Sequence, residues 1–113
     1  MSGTPEGRLQ RRIIDAIKRE YPDSWRFNVV GSPYQMAGVP DILVCVHGLL
    51  VGIEVKLPRP GESAQHARAR ATPQQRVQIE RINRAGGMAG VVLSVDEALD
   101  LIGRGLRRAP SPS

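Results

Sequence analysis

Residues 41–56 read DILVCVHGLLVGIEVK. The aliphatic runs Ile42–Val46 and Leu49–Val55 flank His47 and Gly48, the pattern of two antiparallel strands joined by a two-residue turn whose glycine supplies a positive φ. Val46 then pairs with Leu49, and following the ladder away from the turn brings Asp41 opposite Glu54. Directly opposed residues share a sheet face with Cβ atoms about 5 Å apart, so two carboxylates are predicted to meet. Lys56 lies on that face too, because it stands two residues beyond Glu54 and strand side chains alternate with a period of two. The hairpin is therefore expected to be aliphatic along its length and to gather Asp, Glu and Lys at one end.

On the amino side, Leu9, Ile13, Ala16, Ile17 and Tyr21 recur at helical spacing, with Arg11, Arg12, Asp15, Lys18 and Arg19 largely on the other side. This predicts a first helix over 8–21. Pro22 and Asp23 stop it, and residues 25–30 alternate as a short strand that Gly31, Ser32 and Pro33 end. On the carboxyl side, residues 57–71 are rich in Pro, Gly, Ala and Arg with no apolar period and are expected to form a loop. Thr72, Pro73 and Gln75 then make a helix start: a Thr cap, proline at the first position, and Gln placed to close a capping box. That second helix runs to about Ala85, where Gly86 and Gly87 end it. Residues 88–94 follow as a fourth strand and 96–102 as a short last helix. Both hairpin strands are expected to be buried on both faces, with Cys45 and Trp25 in the core. The order helix, three strands, helix, strand, short helix belongs to the α/β class with a mixed sheet flanked by helices.

The chain has 113 residues, enough for one core, since a chain of this size buries about two thirds of its unfolded surface. The expected organisation is a flexible N-terminus over 1–7, one domain over 8–103, and a basic, Pro/Ser-rich tail over 104–113. A single cysteine excludes an internal disulfide and a multi-thiolate metal site, and fits a reducing, cytoplasmic setting. The longest apolar stretch, residues 42–46, falls far short of the ~20 a membrane span needs. The first residues read as an amphipathic helix rather than a signal peptide. Formal net charge is +5, and most of the excess lies after residue 56, where Arg59, Arg68, Arg70, Arg76, Arg81 and Arg84 share one window and Arg104, Arg107 and Arg108 a second. Arginine clamps phosphate through paired hydrogen bonds, so this balance points to a polyanionic partner.

Two carboxylates facing each other cost energy unless something neutralises them, and hard divalent ions are held by one or two carboxylates with water and substrate phosphate completing the shell. Such an ion polarises a phosphoryl oxygen and lowers the pKa of a bound water, while Lys56 could orient that water or stabilise charge developing on phosphate. The chain spends only two lysines against 14 arginines, yet a lysine holds this position, and lysine is the cation whose proton affinity surroundings can tune. Taken singly, Pro40-Asp41 is an ordinary strand-opening turn, and Glu54 with Lys56 an exposed ion pair at a strand end. What favours a metal site is that the turn setting the register was chosen without reference to the acids.

With these residues in place, GSPYQMAGVPDILVCVHGLLVGIEVK (residues 31–56) resembles the core of the PD-(D/E)XK nuclease superfamily. Together with TPQQ and RAGGMAGVVLS downstream, it resembles specifically the virus-type replication-repair nuclease (VRR-NUC) family. The resemblance covers roughly residues 8–95. It implies a restriction-endonuclease-like αβββαβ core, Mg²⁺- or Mn²⁺-dependent cleavage of DNA phosphodiesters at branched or structured sites, similarity to Holliday junction resolvases, and a homodimer. Carried over by motif, Asp41, Glu54 and Lys56 match the catalytic residues, the backbone carbonyl of Val55 would be a further metal ligand, and Gln75 matches a glutamine of the following helix. Gln75 could equally serve only as the cap of Thr72. Where many relatives carry a glutamate in the first helix, the alignment falls on Gln10, a neutral ligand that would hold metal more weakly.

The reading that results is a metal-dependent DNA endonuclease, selective for branched or junction DNA, with Arg59, Arg68, Arg70 and Arg76 positioning substrate phosphates. Two alternatives stay open: a DNA-binding module of the same fold that does not cleave, and a regulatory subunit of a replication or recombination assembly. His47 is expected to be a turn residue, His66 to be solvated, and Gly38 to be either a plain loop glycine or a point of close phosphate approach. Trp25 and Tyr34 are the aromatics that could stack on a base, Trp25 being the one expected in the core instead.

Overall fold

The computed structural model describes residues 3–29 and 36–108. Tyr34 and the Gly31-Ser32-Pro33 break lie outside them, as does the end of the tail. The chain folds as α1 (Pro5–Glu20), β1 (Trp25–Asn28), β2 (Ile42–Val46), β3 (Leu49–Val55), α2 (Ala64–Ala69), α3 (Pro73–Arg84), β4 (Met88–Val92) and α4 (Val95–Arg108). The strands form one mixed sheet in the order β1-β2-β3-β4, antiparallel except for the parallel pair β3–β4, whose crossover carries α2 and α3.

The hairpin has the register its turn dictates: Val46 pairs with Leu49 and Ile42 with Ile53. Both turn residues take positive φ, His47 at 50° and Gly48 at 80°, which matches the twist of a two-residue hairpin. Ile42, Val44 and Val46 of β2 and Val51, Ile53 and Val55 of β3 point to one face. There Leu9, Ile13 and Ile17 of α1 and Ala98, Leu101 and Ile102 of α4 close over them, full burial of each Val, Leu or Ile being worth roughly 1.5–3 kcal/mol. On the other face α3 lies over β3 and β4. A Cβ on Gly52 would come within 3.0 Å of Ile82 of α3 and of Pro40, so the close packing there needs a glycine.

Several expected boundaries differ. α1 begins at Pro5 rather than Arg8, because Thr4 accepts a hydrogen bond from the Gly7 amide and so caps an earlier start. α4 runs to Arg108 rather than Ile102, with Gly105 held against Leu49 and Met88, where only a residue without a side chain fits. The segment 57–71 is not all loop. Ser63 caps α2 by accepting from the His66 amide, and small Ala67 supplies its burial, so no aliphatic period announces it.

The expectation that both hairpin strands are buried on both faces holds for most of β3 but fails for β2, where Cys45 is exposed. Among the described residues no helix covers the β1–β2 half of the α3-side face, and Trp25, opposite Cys45, is exposed rather than core. The β4 edge, in contrast, is partly capped by side chains. Asn83 donates to the Ala89 carbonyl and accepts from its amide, Arg68 donates to the Val91 carbonyl, and Glu97 accepts from the Leu93 amide.

Candidate active site at the acidic end of the hairpin

Asp41 stands one residue before β2, and the pairing of Ile42 with Ile53 sets it beside Glu54. Because Val46 and Leu49 close the turn as a hydrogen-bonded pair, the ladder alternates to make Asp41–Glu54 a non-hydrogen-bonded pair, the kind whose side chains come closest. Pro40 ends the strand, and the next amide on β3 is left without a backbone partner there. Asp41 takes its place: its Oδ2 accepts from the Val55 amide at 2.8 Å. A strand residue points its N–H and C=O to the same side, so the Val55 carbonyl, expected to be a ligand, faces the Asp41 side of β3.

Glu54 is the one charged residue among the buried positions described, 1% exposed. Lys56 Nζ lies 3.4 Å from its Oε2, while Oε1 is buried with no hydrogen-bond partner. Burial, and then the negative charge of Asp41, push the Glu54 carboxyl up to about 8, against the pull of Lys56. Burial also raises Asp41, although the Val55 amide opposes it. The pair thus favours one shared proton over two bare charges. Among the described residues no cluster of three or more His, Cys, Asp or Glu side chains converges, so the oxygen donors here are these two carboxylates and nearby backbone.

Gln75 closes the capping box: its Oε1 accepts from the Thr72 amide at 2.9 Å and its own amide donates to Thr72 Oγ1 at 3.2 Å. Gly38 connects this helix start to the acidic end. With φ at +84°, a Cβ there would lie 2.3 Å from the Gln74 carbonyl oxygen, so the loop leading into Pro40-Asp41 is seated on the first turn of α3. Gln10, on α1, accepts from Asn28 Nδ2 at 3.1 Å. Asn28 pairs with Ile42, and the next amide, Val29, donates to the Asp41 carbonyl, which brings Gln10 to the same end of the sheet.

The basic residues are more committed than the sequence suggests. Arg70 is paired with Glu62 at 2.9 Å and donates to the Leu57 carbonyl just past β3. Arg68 is paired with Glu97 at 2.6 Å, and Arg76 donates to the Ala69 carbonyl. The Arg70 guanidinium holds Glu62 down to about 2, and Arg68 lowers Glu97. The guanidinium of Arg59 has no ion-pair partner among the described residues. Sequence reasoning missed Asn28, Glu62 and Glu97, since each serves an arginine or glutamine distant in the chain and no local spacing signals such a pairing.

Comparison by sequence gives no match: no protein-family model matches the chain, and no curated protein does. Comparison by structure gives clear ones. A solved structure described as "VRR_NUC domain" is 24% identical, with a TM-score of 0.58, over 89% of this chain and 97% of that one. Another, described as "VRR_NUC domain protein", is 22% identical, with a TM-score of 0.61, over 95% of this chain and 92% of that one. The chain has the VRR-NUC fold, an α/β fold of mixed sheet and flanking helices.

Proposed function

We propose that this chain of VRR-NUC fold is a divalent-metal-dependent nuclease hydrolysing DNA phosphodiesters, selective for branched or otherwise structured sites. The observation that carries the reading is the buried carboxyl of Glu54, with an oxygen lacking any donor, set against Asp41 and Lys56. A buried acid left in this state is costly unless a cation or proton satisfies it, and Mg²⁺ or Mn²⁺ suits two carboxylates and a carbonyl better than any softer metal. Asp41, Glu54 and the Val55 carbonyl would hold it, with the Gln10 side chain as a neutral outer neighbour. The chemistry such an ion supplies is polarisation of a phosphoryl oxygen and a lowered pKa for the attacking water.

The chain's own groups do the rest. Lys56 orients the water and offsets charge developing on the phosphate. Gln75 braces the Gly38 loop from α3, which fixes Asp41. Arg59, at the start of the crossover, contacts substrate phosphate, and Arg68, Arg70 and Arg76 shape the same basic ground. A two-fold dimer would present paired sites to a four-way junction.

Cleavage of labelled single strand, duplex, splayed arm, flap and four-way junction, with Mg²⁺, Mn²⁺ or EDTA, tests the reading. Wild type is expected to cut one or more of them only with metal, Glu54→Ala none, and Lys56→Ala to bind DNA as wild type while cutting at least about 100-fold more slowly. Normal cutting by Lys56→Ala would sink the catalytic assignment. A specific observation favours a second reading: Gln10 is neutral and its oxygen is engaged by Asn28, which suits a DNA-binding module that does not cleave. Salt-sensitive binding that survives EDTA, with no cutting of any substrate, would select it.

A further inference from the structure

We infer that Trp25 and Phe27 form a stacking platform for unpaired nucleobases beside the acidic pair, so that the DNA taken has single-stranded or unpaired nucleotides next to the scissile phosphate. The inference rests on the nuclease reading for the nature of its ligand. The two side chains are 57% and 46% exposed, and their rings lie near-parallel, 17° apart with centroids at 5.9 Å. They are half the aromatic residues of a chain that has one Trp, two Tyr and one Phe.

Their location is fixed by pairing. Trp25 is opposite Cys45 and Phe27 opposite Leu43, and two steps along β2 from Leu43 is Asp41, on the same face of the sheet. Strand geometry puts Phe27 roughly 8 Å and Trp25 roughly 14 Å from Asp41 in backbone separation. A phosphate at the acidic pair therefore has its neighbouring bases within reach of the rings.

The occupant must be flat, conjugated and joined to an anionic backbone that a chain of net charge +5 attracts. A nucleobase meets all three conditions, but only when unpaired, because a base inside a duplex has its faces covered by its neighbours. The same rings would also serve a second copy of the chain, an outcome the test separates.

Trp25 is the only tryptophan, so its fluorescence reports on the platform directly. In EDTA, the wild-type protein is titrated with a single strand, an abasic strand of equal length and charge, and a blunt duplex. Labelled-strand anisotropy follows Trp25→Ala, Phe27→Ala and Trp25→Phe, with circular dichroism confirming their fold. The single strand is expected to quench Trp25 and to bind more tightly than the abasic strand. Trp25→Ala and Phe27→Ala should each weaken single-strand binding about 5- to 150-fold, leave abasic binding unchanged, and be largely rescued in Trp25→Phe. Equal binding of abasic and base-bearing strands overturns the inference, as does dimerisation without DNA that Trp25→Ala abolishes and no base dependence accompanies. Base-dependent binding without metal-dependent cleavage removes the nuclease reading alone; base-independent binding with intact cleavage removes the platform alone.

Discussion

Glu54 keeps its proton in the folded chain up to about pH 8, whereas the ordinary value for the side chain is 4.5. Between those limits the unfolded chain has released a proton that the folded chain still holds, so folding stability falls as pH rises. One such group changes stability by at most about 1.4 kcal/mol per pH unit. Glu62 acts with the opposite sign: held down to about 2 by Arg70, it contributes stability that is lost only as pH falls below its ordinary range. The metal-free protein is therefore expected to become less resistant to urea from pH 5 to pH 8, and Glu54→Gln to flatten that slope. A Glu54→Gln curve as steep as the wild type's would place the titrating group elsewhere. Mg²⁺ or Mn²⁺ should raise stability most at the alkaline end, where it competes with the fewest protons.

At the scale of elements, Arg68 of α2 and Arg70 at its C-cap do structural duty before any other. Arg68 ties α2 to α4 through Glu97 and to the β4 edge through the Val91 carbonyl, and Arg70 ties it to Leu57 and Glu62. Arg68→Ala with Arg70→Ala should lower the melting midpoint by several degrees and reduce the salt slope of DNA binding by less than two. Arg59→Ala should reduce it by about one with the midpoint unchanged. Salt-titrated binding and thermal melts of the same three proteins check both statements.

The hairpin register, the first helix face and the Thr72 capping box were legible in the sequence because each depends on residues within a turn or a strand of one another. α2 was not, for its stability comes from a Ser63 cap and from ion pairs to Glu62 and Glu97 rather than from an aliphatic stripe. The exposure of Trp25 and Cys45 was equally hidden. An aliphatic run tells that a strand is apolar on both sides, but not that α3 lies over β3 and β4. At the acidic end the sequence brought Asp41, Glu54 and Lys56 together; it could not show that Asp41 completes the ladder at Val55, since that follows from Pro40 ending one strand early.

For the molecule as a whole, the sheet has unlike edges and unlike faces. One face is filled by α1 and α4; the other is covered by α3 at β3–β4 and, among the described residues, by no helix at β1–β2. No helix among the described residues is long and apolar enough to cross a membrane. The β4 edge is capped at Ala89, Val91 and Leu93 by Asn83, Arg68 and Glu97. Asn83→Ala would free both backbone groups of Ala89, and an unpaired strand edge recruits other chains. Light scattering of concentrated protein is expected to show association of Asn83→Ala where the wild type shows none; identical scattering from the two would mean that the asparagine has no such role. The wild-type sheet thus has a blind side. A further copy finds few free backbone groups to pair with there, so chains at high local concentration are hindered from stacking into a fibre through β4.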